Sequence, residues 1–147
     1  MNRKKFIKQC GFACISSSIA MLLLESCASA KTVTGNIIDT DMVVPLDSFL
    51  TGNNKTDFKK YIVVEHPQLK YPICVFRFSE NDYSALLMQC THQGAELQVF
   101  GDRLQCPAHG SEFDNKGNVQ NGPADTHLRS FPTIITNNQL KISLKNA

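Results

Sequence analysis

The sequence has no tryptophan, no internal repeat, no low-complexity tract and no stretch with a sustained helical period. The missing period argues against a helix bundle, because packed helices bury a face that recurs every three to four residues. Basic residues are concentrated at the start, where Arg3, Lys4, Lys5 and Lys8 sit. The remainder is close to neutral, so no basic stripe is left for phosphates and no nucleic-acid partner is expected. There is no Ser/His/Asp set, paired-carboxylate cleft or phosphate loop, and therefore no sign of an independent catalytic site. The longest apolar run, Gly11 to Leu24, covers fourteen residues and is interrupted by Ser16–Ser18. That is short of the roughly 20 needed to span a membrane.

What the N-terminus does have is the layout of an export signal over residues 1–30: a basic start, a short apolar run and small residues at its end. Two cleavage points compete. Leu24-Glu25-Ser26-Cys27 resembles a bacterial lipobox, which would put a lipid on Cys27 and hold the protein at a membrane surface. Ala28-Ser29-Ala30 would instead release the chain at Lys31. The lipobox is the favoured reading, with Glu25 its least typical residue. Arg3-Lys4-Lys5-Phe6-Ile7-Lys8 resembles the twin-arginine export motif with lysine as its second basic residue. That route and the ordinary secretory route both stay open. Either leads to the outer, periplasmic side of a bacterial cytoplasmic membrane.

Residues 31–41 are polar with few structural signals and are expected to form a tether; residues 42–147 are expected to form one domain. Its pattern is that of strands. Met42–Leu46, Tyr61–Val64, Ile73–Phe78 and Ala85–Met88 are short β-branched or apolar runs bounded by Pro, Asn and Asp. Thr133–Thr136 and Leu140–Leu144 flank a hairpin turn at Asn137-Asn138-Gln139. Pro45–Leu50 suits one short helical turn. Together these predict an all-β sandwich or barrel-like domain.

Its chemistry is concentrated in Cys90–Ser111, CTHQGAELQVFGDRLQCPAHGS. Two of the four histidines in the chain lie here, each beside a cysteine: Cys90-x-His92 and Cys106-x-x-His109. A hairpin over Glu96–Gln105, turning at Gly101-Asp102, folds the second pair back towards the first. Gly94 and Gly110 follow the pairs, allow tight turns and leave backbone N–H groups near a negatively charged centre. Four such side chains point to metal. A structural zinc ion would take all four tetrahedrally, commonly as two cysteines from one turn and two histidines from a helix. Here each loop gives one of each, which suits a [2Fe–2S] cluster with one thiolate per loop on one iron and one imidazole per loop on the other. Zinc stays open as the competitor.

The spacing C-x-H-(13)-C-x-x-H, with Gly110 and Ser111 after it, resembles the Rieske family, and Asn121-Gly122-Pro123-Ala124 resembles the proline loop that covers the cluster there. The resemblance implies an antiparallel β-sandwich or barrel with a small cluster-binding subdomain of two ligand loops. It makes Cys90 and Cys106 ligands of an inner iron and His92 and His109 ligands of an outer one, with Ser111 placing its hydroxyl against a bridging sulfide. The implied cofactor is one Rieske-type [2Fe–2S] cluster, and the implied partners are a redox-protein donor and acceptor.

Two departures from the pattern matter. Rieske proteins of quinol–cytochrome c oxidoreductases carry an extra cysteine in each loop, joined as a disulfide; the matching positions are Ala95 and Ala108. The tyrosine that donates to a ligand thiolate in that family is Phe113 here. Fewer donors leave more uncompensated charge on a reduced cluster, so the expected potential is below the high-potential members and above plant-type ferredoxins. The functional expectation is one-electron transfer by an exported, lipid-anchored protein. The alternative is a Rieske subunit of a larger quinol-oxidising or arsenite-oxidase-like enzyme. Cys74 is expected to be a core thiol, and His66 and His127 surface residues.

Overall fold

The computed structural model describes residues 32–51 and 56–145. The expected export signal, Cys27 and Lys31 lie outside the described residues.

A central sheet organises the domain. Strands β6 (Tyr61–Glu65), β7 (Ile73–Arg77) and β8 (Tyr83–Leu87) form an antiparallel meander. β1 (Thr32–Thr34) lies parallel to β6 at one edge, and β13 (Ser130–Phe131) pairs with β8 at the other. Because side chains alternate across a strand, the meander feeds two separate cores. Ile62, Val64, Ile73, Val75 and Ala85 point into one, with Met42, Val44, Phe49, Leu140 and Ile142. Cys74, Phe76 and Leu86 point into the other, with Leu97, Leu104, Phe113, Cys90 and Cys106. Covering on both faces explains why Ile73–Phe76 reads as an unbroken apolar run rather than an alternating one.

The first core is closed by a second sheet, ordered β14 (Thr133–Thr136), β15 (Gln139–Ser143), β3 (Asp41–Pro45) and β2 (Asn36–Ile38). The β14–β15 hairpin turns at Asn137 and Asn138, with φ of 51° and 59°. Asparagine tolerates this left-handed backbone, which matches the twist of the flanking strands. A short 3-10 helix occupies Leu46–Phe49, within the stretch expected to make one turn, and buries Phe49. It leads into a two-stranded ribbon, β4 (Leu50–Thr51) with β5 (Asp57–Phe58). The second core is closed by a small sheet, β12 (Val119–Asn121), β11 (Glu112–Asp114), β10 (Arg103–Gln105) and β9 (Gln98–Phe100).

The all-β expectation holds. The tether does not: within residues 31–41, β1 pairs with β6 and β2 with β3, so this stretch joins both larger sheets. Gly35, between the two strands, is buried where the chain passes from one sheet to the next. A Cβ there would overlap the Met42 sulfur and lie 2.8 Å from Val64 Cγ1.

Candidate metal centre

The central sheet delivers the first loop and the small sheet the second. β8 runs out through Met88 and Gln89 into Cys90. The β9–β10 hairpin, with Gly101 at φ +65°, then returns the chain so that Cys106 lies beside Cys90. The two loops close by the same pair of backbone bonds. Cys90 N–H donates to Ala95 O at 2.8 Å, and Gly94 N–H donates to Cys90 O at 2.9 Å. In the second loop, Cys106 N–H donates to Ser111 O at 2.8 Å, and Gly110 N–H donates to Cys106 O at 2.9 Å. Gly94 and Gly110, at φ +75° and +80°, occupy the left-handed region that a residue with a Cβ adopts at a cost.

This repeat sorts the four side chains into two pairs. Cys90 and Cys106 are 2% and 3% exposed and their thiols are hydrogen-bonded to each other. Burial pushes the Cys106 thiol up, but the backbone N–H groups of His109 and Ala108 and the Cys90 thiol all donate to its sulfur. The net position is below an ordinary thiol, favouring the thiolate a metal requires. His92 and His109 are exposed, with ring centroids 4.9 Å apart and planes at 90°. Among the described residues no three His, Cys, Asp or Glu side chains gather about a single ion position. The donors are arranged two and two: thiols inside, imidazoles outside.

A third loop, residues 121–128, is fastened to both. Thr91 Oγ1 donates to Thr126 O at 2.7 Å, tying it to the first loop. Ala124 N–H donates to the buried Ser111 hydroxyl oxygen at 3.0 Å, tying it to the second. It contains Gly122 and a cis Pro123. The Tyr71 hydroxyl donates to Gly94 O at 2.6 Å from outside the three loops. Sequence reasoning missed Tyr71 and Thr91. Both act across large sequence separations, and neither residue type carries a local signal for the role.

The remaining positions fall where their chemistry suggests. Cys74 is wholly buried, and burial pushes its thiol far above the ordinary range. His66 Nδ1 accepts the Gln68 N–H at 3.2 Å, and His127 is exposed in the third loop. Phe113 is fully buried in the second core. Ala95 and Ala108 leave the loops unbridged, and Cys74, Cys90 and Cys106 are free thiols.

Comparison with known proteins agrees with this geometry. The family described as the Rieske [2Fe-2S] domain matches residues 42–132. The oxygenase component of dicamba O-demethylase from Stenotrophomonas maltophilia is 34% identical over 76 residues, 45% of this chain and 22% of that protein. The cytochrome b6-f complex iron-sulfur subunit 2 of Nostoc sp. is 31% identical over 64 residues, 42% of this chain and 36% of that one. The chain thus spans well under two thirds of these relatives. Among solved structures, the cyanobacterial plasma membrane Rieske protein PetC3 from Synechocystis PCC 6803 superposes with a TM-score of 0.50 at 28% identity, covering 57% of this chain and 86% of that chain. A chain of the complex of reduced oxygenase and oxidized ferredoxin in carbazole 1,9a-dioxygenase gives 0.55 at 19% identity, covering 75% and 98%, a likeness of fold. With the family match extending over more than half of its length, the chain belongs to the Rieske [2Fe–2S] family, and its domain is the electron-transfer kind that binds a single such cluster.

Proposed function

We propose that the protein is an exported one-electron carrier in which Cys90 and Cys106 hold the inner iron of the cluster and His92 and His109 the outer iron. The observation that carries this reading is the pairing of two buried, adjacent thiols with two exposed, adjacent imidazoles. The donor set fits the group: two cysteine sulfurs on one side and two imidazoles on the other, each held on a closed backbone turn. Bound there, the cluster supplies a centre that takes up and returns one electron at a time.

The chain's own residues do the rest. The second core keeps water from the two thiols, and N–H groups of His109 and Ala108 offset charge on the Cys106 sulfur. Exposure of His92 and His109 gives a redox partner its shortest approach through the imidazoles. Ser111, with its oxygen already accepting Ala124 N–H, has its proton left to donate towards the cluster. Residues 1–30 contain the export signal, which is cut before Cys27 so that Cys27 carries the lipid and holds the domain on the periplasmic side of the membrane, with a redox-protein donor and acceptor. The similarity to a plasma membrane Rieske protein supports that location.

A second reading, a Rieske subunit of a larger membrane or periplasmic oxidoreductase, draws on the similarity to a cytochrome b6-f iron-sulfur subunit. Electron paramagnetic resonance of the reduced protein, with iron and acid-labile sulfide analysis, tests the ligand assignment. Wild type should give a Rieske-type signal and two irons per chain, and Cys90→Ser or His109→Ala should abolish it. Retention of the wild-type signal in either variant overturns the assignment. The mass of the mature N-terminus tests export, a diacylated Cys27 being the expected form. Co-purification of the native protein as a stable part of a multisubunit complex would favour the second reading.

A further inference from the structure

A Rieske domain without a bridge between its ligand loops needs something else to hold them, and the two equivalent glycine carbonyls show where to look. Gly94 and Gly110 close their loops alike, each donating its N–H to the ligand cysteine four residues earlier. Their carbonyls are not served alike. Gly110 O receives a long contact from the Asn121 amide, at 3.5 Å. Gly94 O receives the Tyr71 hydroxyl at 2.6 Å, at the short end of the range for an O–H donor.

Tyr71 is well placed to act as a fixed post. It lies two residues before β7, directly before Pro72, whose ring limits its own backbone and that of the residue before it. Pro72 O accepts Met88 N–H at 2.9 Å, two residues before Cys90 on the neighbouring strand. The phenol therefore spans from the central sheet to the far side of the first loop. The chain from it to the ligand has two links: Tyr71 O–H to Gly94 O, then Gly94 N–H to Cys90 O. Both bonds fall on Gly94, so the phenol fixes the residue whose N–H closes the loop on Cys90.

We propose that Tyr71 is a positioning residue for the cluster: its hydroxyl secures the Cys90–His92 loop in the role that a covalent bridge at Ala95 and Ala108 would otherwise fill. The inference rests on Cys90 and His92 being cluster ligands, as argued above. The donor also directs its positive end at the loop, so it favours the more negative, reduced state.

Tyr71→Phe removes one oxygen and keeps the ring. In the cluster-bearing protein we expect loss of cluster absorbance in excess chelator to quicken about fivefold, the order of a net hydrogen bond. The reduction potential should fall. Tyr83→Phe is the control, because its hydroxyl serves Arg77 at the opposite end of the same meander. It should leave the loss rate and potential at wild-type values. A Tyr71→Phe protein matching wild type in both readouts overturns the inference. So does one whose faster loss is matched by Tyr83→Phe, since that marks general loosening of the sheet. Absence of a Rieske signal in wild type would instead defeat the ligand assignment.

Discussion

The Ser111 hydroxyl oxygen accepts the backbone N–H of Ala124 at 3.0 Å, and both residues are buried. One side chain thus joins the second ligand loop to the loop that covers it. Ser111→Ala removes two things at once. It deletes the hydroxyl proposed above to donate towards the cluster, which should lower the reduction potential. It also strands a buried N–H, which costs about 1–3 kcal/mol. Redox titration and denaturant unfolding of the same variant should move together. A lowered potential with unchanged stability would mean that Ala124 finds another acceptor.

Phe113 sets the opposite experiment. It is a fully buried apolar ring in the second core, the same core that holds Cys90 and Cys106. Phe113→Tyr adds a phenol to that environment. The expected result is a higher reduction potential, because a new donor to a ligand sulfur offsets charge on the reduced cluster. Overpacking should cost about 1–3 kcal/mol of stability. An unchanged or lower potential on redox titration would show that the hydroxyl does not reach the thiolate.

Gly35 tests the unexpected part of the fold. The β1–β2 stretch crosses between the two larger sheets, and a Cβ at this position would overlap Met42 and crowd Val64 in the first core. Gly35→Ala should therefore lower stability by about 1–3 kcal/mol, measured by thermal or denaturant unfolding. If residues 32–38 instead formed a loose tether, the substitution would leave the midpoint unchanged.

The readable parts of this fold and the missed ones differ in the reach of the signal. Ile73–Phe76 and the Asn137-Asn138 turn were legible because period, β-branching and turn chemistry act within a few residues. The convergence of the two Cys/His loops was legible from their spacing and the Gly101 turn, while the sorting into a cysteine pair and a histidine pair came from the resemblance to the Rieske family. Thr32–Thr34 and Asn36–Ile38 were not: three-residue strands with alternate exposure carry too few apolar side chains to stand out from a polar linker. Tyr71 and Thr91 were invisible for a related reason. Their partners, Gly94 and Thr126, are 23 and 35 residues away, and only the packed sheets bring them together.

The turn behind the covering loop should respond to acid. Asp114 ends β11, and its carboxylate accepts the backbone N–H groups of Lys116 and Asn118 at 2.9 and 2.8 Å and the Asn118 amide at 2.9 Å. Partial burial pushes its carboxyl up, but the Asn118 side chain and backbone, with the N–H groups of Lys116 and Gly117, hold it below the usual value. The same turn presents Gly117 O to Leu128 N–H at 2.9 Å, at the base of the covering loop. A carboxyl depressed in the folded state contributes stability that is complete above the unfolded value, about 3.9, and is lost as pH falls through the folded one. Asp114→Asn keeps the shape but not the charge. It should unfold earlier than wild type in urea at pH 7 and at pH 5, by a similar margin. Below about pH 4 the margin should shrink, because wild type then loses the same charge. A gap that persists undiminished at pH 3 would show that the deficit comes from exchanging an acceptor oxygen for an amide donor rather than from losing the charge.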